Sequence, residues 1–391
     1  MIPPSDLLSD CPHSDICGGC TYRGVPYETQ LEIKNKQVIE FLQENEVRPG
    51  DYAGVAPAPH ISAYRNRMDY SFGDEVKDGP MTLGLHKSGS YMSVINTDGC
   101  LIVPPDFNTV RAATLAWAER AGHGFYHKKT RAGFLRNLVL RRGERTNELL
   151  VNLVTTGEET LDEDAFTDMI RALPLNDTVA GVIHTIFAGR ADTVACDVSH
   201  VLYGRNHYFE KLLGLDFRVN ALSFFQTNTS AVDAMFTEAL DMLPEIGGMN
   251  VYDVYCGTGT ISLSIAGRAA SVTGVEIVPE SVAAAEENAA LNGIGNCAFV
   301  CGDALEVLEA LGKRPDMIVV DPPRMGMHPK ALKKILSYDL PEILYISCNP
   351  KTFAQNMAAM QSAGYRLDVL KGYDNFPYTK HTELAARIIR K

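Results

Sequence analysis

Three cysteines fall within ten residues in Cys11-Pro-His-Ser-Asp-Ile-Cys17-Gly-Gly-Cys20, and Cys100, in Asp98-Gly99-Cys100-Leu101, is the next along the chain. Flanking glycines let a loop wrap one centre, where four thiolates suit either tetrahedral zinc or an iron–sulfur cluster. The uneven gaps, five residues and then two, do not make the two Cys-x-x-Cys knuckles usual for zinc, which favours a 4Fe–4S cluster. Unliganded buried thiols are the plain alternative. Cys348 is a different kind of cysteine. It follows the apolar run Ile343-Leu-Tyr-Ile346 in Ser347-Cys348-Asn349-Pro350. A thiol at a strand tip is placed as a nucleophile, and a helix starting at Pro350 would favour its thiolate. Cysteine is also among the most buried residue types, so a core role is the competing reading. Asp321-Pro-Pro-Arg324-Met-Gly326 ends another apolar run, Met317-Ile-Val-Val320, and Glu383 opens the last one after His381-Thr. Glu383 reads as a base or as an ion-pair partner.

These groups need a scaffold that brings strand ends to one edge. Its first unit is Val251-Tyr-Asp253-Val-Tyr255-Cys256-Gly257-Thr-Gly259-Thr260, a short apolar strand entering a glycine turn and then an apolar helix. Such a turn offers backbone N–H groups to a nucleotide-like ligand, although a plain packing turn looks the same. No third glycine follows Gly259, so no pyrophosphate need be cradled, and with the leading Asp253 this argues for S-adenosylmethionine. Glu276 closes the next strand, where an acid can hold two ribose hydroxyls. Asp303 sits at a third strand end, where an adenine amino group could be held. From Val251 onward the pattern alternates strand and helix, which predicts an α/β parallel sheet.

The preceding half reads differently. Tyr27 to Asn45 predicts one amphipathic helix with Leu31, Val38, Phe41 and Leu42 on one side and Lys34, Lys36 and Glu40 largely on the other. Short alternating runs from Tyr64 to Val94 predict β structure, a helix follows over 107–121, and Phe134 to Leu140 with Leu149 to Val154 predicts a hairpin. Leu161 to Leu173 reads as a helix and Ala180 to Phe187 as a strand. Residues 120–145 carry Arg120, Lys128, Lys129, Arg131, Arg136, Arg141, Arg142 and Arg145 against Glu144 alone, either a phosphate track or a charge-protected edge strand. Phe224-Phe225-Gln226-Thr227-Asn228 opens a helical segment. There Gln226 and Asn228 could read a base edge, and capping by Asn228 or Thr227 is the alternative.

Composition bounds the partners. The chain has 391 residues, 46% of them apolar, enough for about two or three domains. A formal charge of −12 excludes a generally basic nucleic-acid coat, so any polyanion must meet a local basic surface. With no leader at Met1-Ile-Pro-Pro and no apolar run of membrane-spanning length, the expected location is cytoplasmic.

The motifs Cys11/Cys17/Cys20 with Cys100, Phe225-Gln226-Thr-Asn228, Asp253-x-Tyr255-Cys-Gly257-x-Gly259, Asp321-Pro-Pro-Arg-x-Gly326, Ser347-Cys348-Asn349 and His381-x-Glu383 together resemble the RNA uracil-5-methyltransferase family. The resemblance is strongest to its iron–sulfur-containing 23S ribosomal RNA branch and covers almost the whole chain. It implies a C-terminal Rossmann-like class I methyltransferase sheet over 221–391, plus an N-terminal β-rich α+β region over 1–220 that binds the 4Fe–4S cluster and RNA. Helix 27–45 is expected to pack on the catalytic part. By the same resemblance Cys348 adds to uracil C6, Glu383 removes the C5 proton, and Gln226 and Asp321 hold cofactor and target base together. Tyr255, Thr260, Glu276 and Asp303 would line the S-adenosylmethionine pocket, and the target base would leave its stack to reach it.

Two departures from the family pattern stand out. Many relatives carry a small β-barrel before the cysteine cluster, whereas this sequence begins at the cluster, and Thr260 stands where relatives often have Asn. A transfer RNA substrate, methylation at two sites, and an RNA cytosine-5 enzyme using the same thiol chemistry are rival readings. An amino-methylating enzyme would want an aromatic residue where Arg324 stands. A redox-sensing RNA-binding protein is the non-enzymatic rival. The expected state is a monomer.

Overall fold

A computed structural model describes residues 11–190 and 196–391; the Met1 to Pro4 stretch lies outside the described residues. Helix α1 (Tyr27–Glu44) and strand β1 (Asp51–Ala56) come first. A seven-stranded sheet is then built from β2 (Arg67–Asp74), β3 (Met81–His86), β4 (Val94–Asn96), β5 (Leu135–Gly143), β6 (Glu148–Thr155), β7 (Thr178–Ile186) and β8 (Val198–Gly204). Helices α2 (Pro105–Ala121) and α3 (Glu163–Arg171) are interleaved, and Phe107, Val110, Trp117, Phe166 and Ile170 share one buried core with Leu83, Leu138, Val151 and Val182 of the sheet. The hairpin β9 (His207–Leu212) and β10 (Leu215–Asn220) leads to α4 (Thr229–Asp241).

From there strand and helix alternate: β11 (Asn250–Val254), α5 (Thr260–Ala266), β12 (Ser271–Glu276), α6 (Pro279–Leu291), β13 (Cys297–Cys301), α7 (Ala304–Ala310) and β14 (Met317–Val320). The chain continues through α8 (Pro329–Ser337), β15 (Glu342–Ser347), α9 (Pro350–Ser362), β16 (Tyr365–Tyr373) and β17 (Glu383–Arg390). The resulting sheet has the order β1-β16-β17-β15-β14-β11-β12-β13. Its pairs are parallel except those of β17, which runs antiparallel to β15 and β16. Order reverses at β11, so the carboxyl ends of β11 and β14 open a crevice there. This is the α/β parallel sheet that the strand–helix alternation predicts, in the Rossmann-like class I methyltransferase form that the resemblance implies. All four residues of β14 are buried, as a strand covered by helices on both faces requires.

Helix α1 belongs physically to this second sheet. Val38 and Leu42 pack with Phe353 and Met357 of α9, and β1 extends the sheet beside β16. Its buried stripe is Tyr27, Gln30, Lys34, Val38 and Leu42, at helical spacing. Lys34, expected on the solvated side with Lys36 and Glu40, is therefore inside, because it lies one turn from both Gln30 and Val38.

The basic window also corrects expectation. Strand β5 is interior, between β2 and β6, so it is no edge strand. Arg136 is buried between the rings of Tyr126 and Phe187, at 4.4 and 4.6 Å, and donates to the carbonyls of Phe187 and Gly189. Arg141 is buried as well, while Arg142 pairs with Asp177 and Arg145 with Asp233. Half of the eight cations thus serve the fold, and no continuous phosphate track remains. Among the described residues, no helix is long and apolar enough to cross a membrane.

Candidate active site

Strand register brings three of the expected residues to one edge. Val320 pairs with Tyr345, Ser347 with Leu384, and Tyr373 with Glu383. Asp321 therefore follows β14, Cys348 follows β15, and Glu383 begins β17, whose reversed direction starts it where its parallel neighbours end. The loops are tied together. Asn349 Nδ2 and Thr352 Oγ1 both donate to the Arg324 carbonyl, at 2.8 and 3.3 Å. Asn356 Oδ1 accepts from the Met327 N–H at 3.0 Å and the Tyr345 hydroxyl at 2.8 Å.

Electrostatics at this edge suppress charge. Burial, then Glu383 and Asp321, pushes the Cys348 thiol up to about 12, against the pull of Arg324. Burial and Asp321 push Glu383 up to about 8, opposed by Arg324 and Lys34. Burial, then Asp253, pushes Asp321 up to about 7. The thiolate expected from the field of α9 is therefore not the resting form. A helix terminus supplies about 0.3–1 kcal/mol, less than one pKa unit at about 1.36 kcal/mol each, and burial beside two acids outweighs it.

The first strand–helix turn gathers most of the residues expected around the methyl donor. Tyr255 holds φ at 71°, uncommon for a residue with a side chain and typical of strained functional turns. Glu276 accepts from the Gly257 N–H at 3.1 Å and from the Val278 N–H at 2.9 Å, so its carboxylate is oriented by backbone at both oxygens. A Cβ at Gly257 would meet nothing within 4 Å, which leaves open space over the turn. Asp303 is exposed and caps α7 through Oδ1; behind burial, its charge helps to push the Tyr255 phenol up to about 12. Thr260 opens α5 and is buried. Asp253 is fully buried; Ser262 Oγ donates to its Oδ2 at 2.6 Å, while Oδ1 has no partner. Phe225 is anchored in the core shared with Ile346, Tyr373 and Ala385, and Gln226 beside it is half-buried. Asn228 is not available to read a base. Its Oδ1 caps α4 by accepting from the Ala231 N–H, and its Nδ2 donates to the Asn375 carbonyl at 2.8 Å.

Cys11, Cys17, Cys20 and Cys100 line one pocket and are half-buried. The loop is held by the Gly18 N–H on the His86 carbonyl at 2.9 Å and by Arg23 on the Cys17 carbonyl at 2.6 Å. Burial first, and neighbouring thiols after it, push Cys20 up to about 12 and Cys100 up to about 11. Among the described residues, no three of these sulfurs lie within 4.8 Å of one another.

Sequence reasoning missed the contacts that hold the segment between β16 and β17. Lys34 Nζ donates to Asp374 Oδ1 at 2.5 Å and to the Phe376 carbonyl at 3.2 Å. Gln30 Oε1 accepts from the Tyr378 N–H, the Tyr378 carbonyl accepts from the N–H groups of Thr21 and Tyr22, and the Tyr64 hydroxyl donates to the Pro377 carbonyl. The cysteine loop, α1 and the segment leading into β2 thus all meet the loop that delivers Glu383. A cation inside the apolar stripe of α1 was the signal for it.

Residues 212–391 match the family model described as tRNA (Uracil-5-)-methyltransferase. The chain is 39% identical over 388 residues to an uncharacterized RNA methyltransferase of Clostridium tetani, covering 99% of this chain and 85% of that one. Against an uncharacterized RNA methyltransferase of Caldanaerobacter subterraneus subsp. tengcongensis the identity is 40% over 381 residues, covering 97% and 84%. The solved structure of Pyrococcus abyssi tRNA (uracil-54, C5)-methyltransferase with S-adenosyl-L-homocysteine is similar at TM-score 0.79 and 27% identity, over 95% of this chain and 85% of that one. The chain belongs to the RNA uracil-5-methyltransferase family.

Proposed function

We propose that the protein methylates C5 of a uridine in RNA, with S-adenosylmethionine as donor, through a transient bond between Cys348 and uracil C6. The observation that carries the reading is a half-buried thiol at the same strand edge as two carboxyls whose pKa values are raised towards neutrality. The donor pocket fits: Glu276 is pre-oriented for a ribose, space lies open over Gly257, and Asp253 Oδ1 is buried without a partner. Tyr255, Thr260 and Asp303 would line that pocket, and Gln226 would bridge donor and base. When bound, the donor supplies an electrophilic methyl group to C5.

The chain's own residues do the rest. As Cys348 sulfur adds to C6, its proton passes to Asp321 and the C5–C6 electron pair shifts towards O4. Protonated Asp321 then donates a hydrogen bond where the enolate charge develops. After methylation, Glu383 as carboxylate takes the C5 proton. That electron pair re-forms the C5–C6 double bond, and the C6–S bond breaks to release Cys348, which regains its proton from Asp321. Phe224 and Met325, 61% and 90% exposed, offer apolar surface to unstacked bases, and exposed Lys129 and Arg131 offer charge to phosphates.

Cys11, Cys17, Cys20 and Cys100 would hold a 4Fe–4S cluster. The uneven cysteine spacing, five residues and then two, favours such a cluster over the paired Cys-x-x-Cys knuckles usual for zinc. Methyl transfer is redox-neutral, so the cluster's part is to brace the RNA-binding region. 23S ribosomal RNA is the favoured substrate, for a monomer acting in the cytoplasm. Transfer RNA is the second reading, favoured by the family model and by the Pyrococcus abyssi enzyme.

RNA carrying 5-fluorouridine tests the chemistry, because fluorine at C5 cannot leave as a proton. A stable adduct at Cys348 is expected; methyl transfer that persists in Cys348→Ala would refute the reading. Mass mapping of 5-methyluridine in RNA from a deletion strain separates ribosomal from transfer RNA, and a 5-methylcytidine product would indicate the cytosine-5 alternative.

A further inference from the structure

Outside the cysteine pocket and the strand-edge site, one cluster of side chains among the described residues has donor atoms arranged as metal ligands. Antiparallel pairing of β7 with β8 sets His184 directly opposite His200 on one face of the sheet. Helix α3 lies over this face and contributes Glu163 from its first turn, which Asp162 fixes by accepting from the Ala165 N–H. Glu163 Oε1 stands 2.9 Å from His184 Nδ1 and 3.1 Å from His200 Nδ1. One atom from each residue falls within 4.8 Å of the others. Two imidazoles therefore converge on a single carboxylate oxygen.

We propose that Glu163, His184 and His200 form a binding site for a divalent transition-metal ion, zinc in the first instance. Metal–ligand lengths of about 2.0–2.1 Å put the donors of a tetrahedral site about 3.3 Å apart, so the two separations from Glu163 Oε1 need to open by only a few tenths of an ångström. The surrounding hydrogen bonds suit this role. His184 Nε2 lies 2.9 Å from Thr155 Oγ1, so with Nδ1 on the ion the remaining ring N–H donates to that hydroxyl, the support usual for a ligating histidine. Neutral imidazoles need only the tautomer that frees Nδ1, and no proton is lost. His184 is buried while His200 is exposed, which leaves room on the solvent side for a water as fourth ligand. Two imidazoles and one carboxylate select borderline ions such as zinc over calcium or magnesium, which take oxygen ligands.

The ion would have a task at this position. Strand β8 is the edge of the seven-stranded sheet and most of its residues are exposed, so little apolar burial holds it. A metal ion bridging β7, β8 and α3 would clamp that edge strand. The site shares no residue with the cysteine pocket or with the methyl-transfer site, so it stands or falls independently of the proposed function.

Cobalt(II) titration of the full-length, cluster-loaded protein tests the site, because cobalt reports its ligands. One equivalent bound with weak nitrogen- and oxygen-type visible bands, and without a sulfur charge-transfer band, is expected. His200→Ala, an exposed position, and Glu163→Gln should each weaken cobalt binding by more than about tenfold. Zinc should raise the Tm of the wild type and leave that of His200→Ala unchanged. Cobalt bound only with sulfur-type bands, binding equally tight in both variants, or no binding would overturn the proposal.

Discussion

The Lys34–Asp374 pair tests how the loop before β17 is held. Both side chains are 0% exposed and their charged atoms are 2.5 Å apart. Burial lowers the Lys34 pKa although Asp374 opposes it, and burial raises that of Asp374 although Lys34 opposes it. Desolvation opposes the charged form of both partners, and a buried pair of this kind is expected to add little net stability. Lys34→Met or Asp374→Leu alone strands one buried charge and should cost about 3–5 kcal/mol. The double variant removes both charges and should recover to near or above wild-type stability, by up to about 4 kcal/mol. A double-mutant cycle in urea would then show coupling of several kcal/mol, well beyond the roughly 0.5 kcal/mol expected of independent sites.

Activity should part from stability in that double variant. Lys34 also donates to the Phe376 carbonyl and lowers the pKa of Glu383. Without it the 374–376 turn loses two anchors, and Glu383 needs a higher pH to ionise. Single-turnover methylation should slow by about one to two orders of magnitude, as small misplacements of reacting groups do, with the pH profile moved upward. Wild-type rate and profile in a stable double variant would refute the positioning role. A double variant as unstable as either single one would refute the energetic argument.

Two further predictions concern the same edge. Glu383 rises from its ordinary 4.5 to about 8, so between those values the folded state binds more protons and stability falls as pH increases. Denaturation at about pH 5 and about pH 8 should show this slope, and Glu383→Gln should flatten it, whereas wild-type methyl transfer should climb over the same range because the base must ionise. A rate falling across that range would contradict the assignment. Gly326→Ala should cost about 1–3 kcal/mol, because φ is 76° there and the added Cβ would meet Asn356 Oδ1 at 2.9 Å and Thr352 Cβ at 3.1 Å. An unchanged urea midpoint would show that α9 does not clamp this loop.

Much of this molecule was legible because strand-and-helix periodicity and strand-end chemistry are local signals. The runs ending at Glu276, Asp321 and Ser347 sit at the carboxyl edge as their apolar patterns require. Residues whose roles depend on distant partners were harder to read. Lys34 looked solvated until Asp374, 340 residues away, supplied its counter-charge. Arg136 and Arg141 looked like a phosphate track because charge says nothing of burial, and aromatic faces and carbonyls from other strands absorb them. Asn228 had two readings in the sequence, and the cap won because the Asn375 carbonyl was waiting for its amide.

The crowding of acids at the strand edge predicts a site that is poorly reactive at rest. Asp253, Asp321, Glu383 and Cys348 crowd together with Arg324 and Lys34 as the opposing cations, and each acid avoids its charge by holding its proton longer. Since Asp321 and Glu383 influence each other, their protons come off as a coupled set. Folding therefore favours the neutral edge, while the proposed chemistry needs Asp321 ionised to take the thiol proton, Glu383 ionised to take the C5 proton, and a transient thiolate. A uracil ring entering the crevice would accept the sulfur's electrons and spread the resulting charge towards a protonated acid. On this reasoning the substrate itself completes the nucleophile, and free protein should resist alkylation at Cys348 near neutral pH.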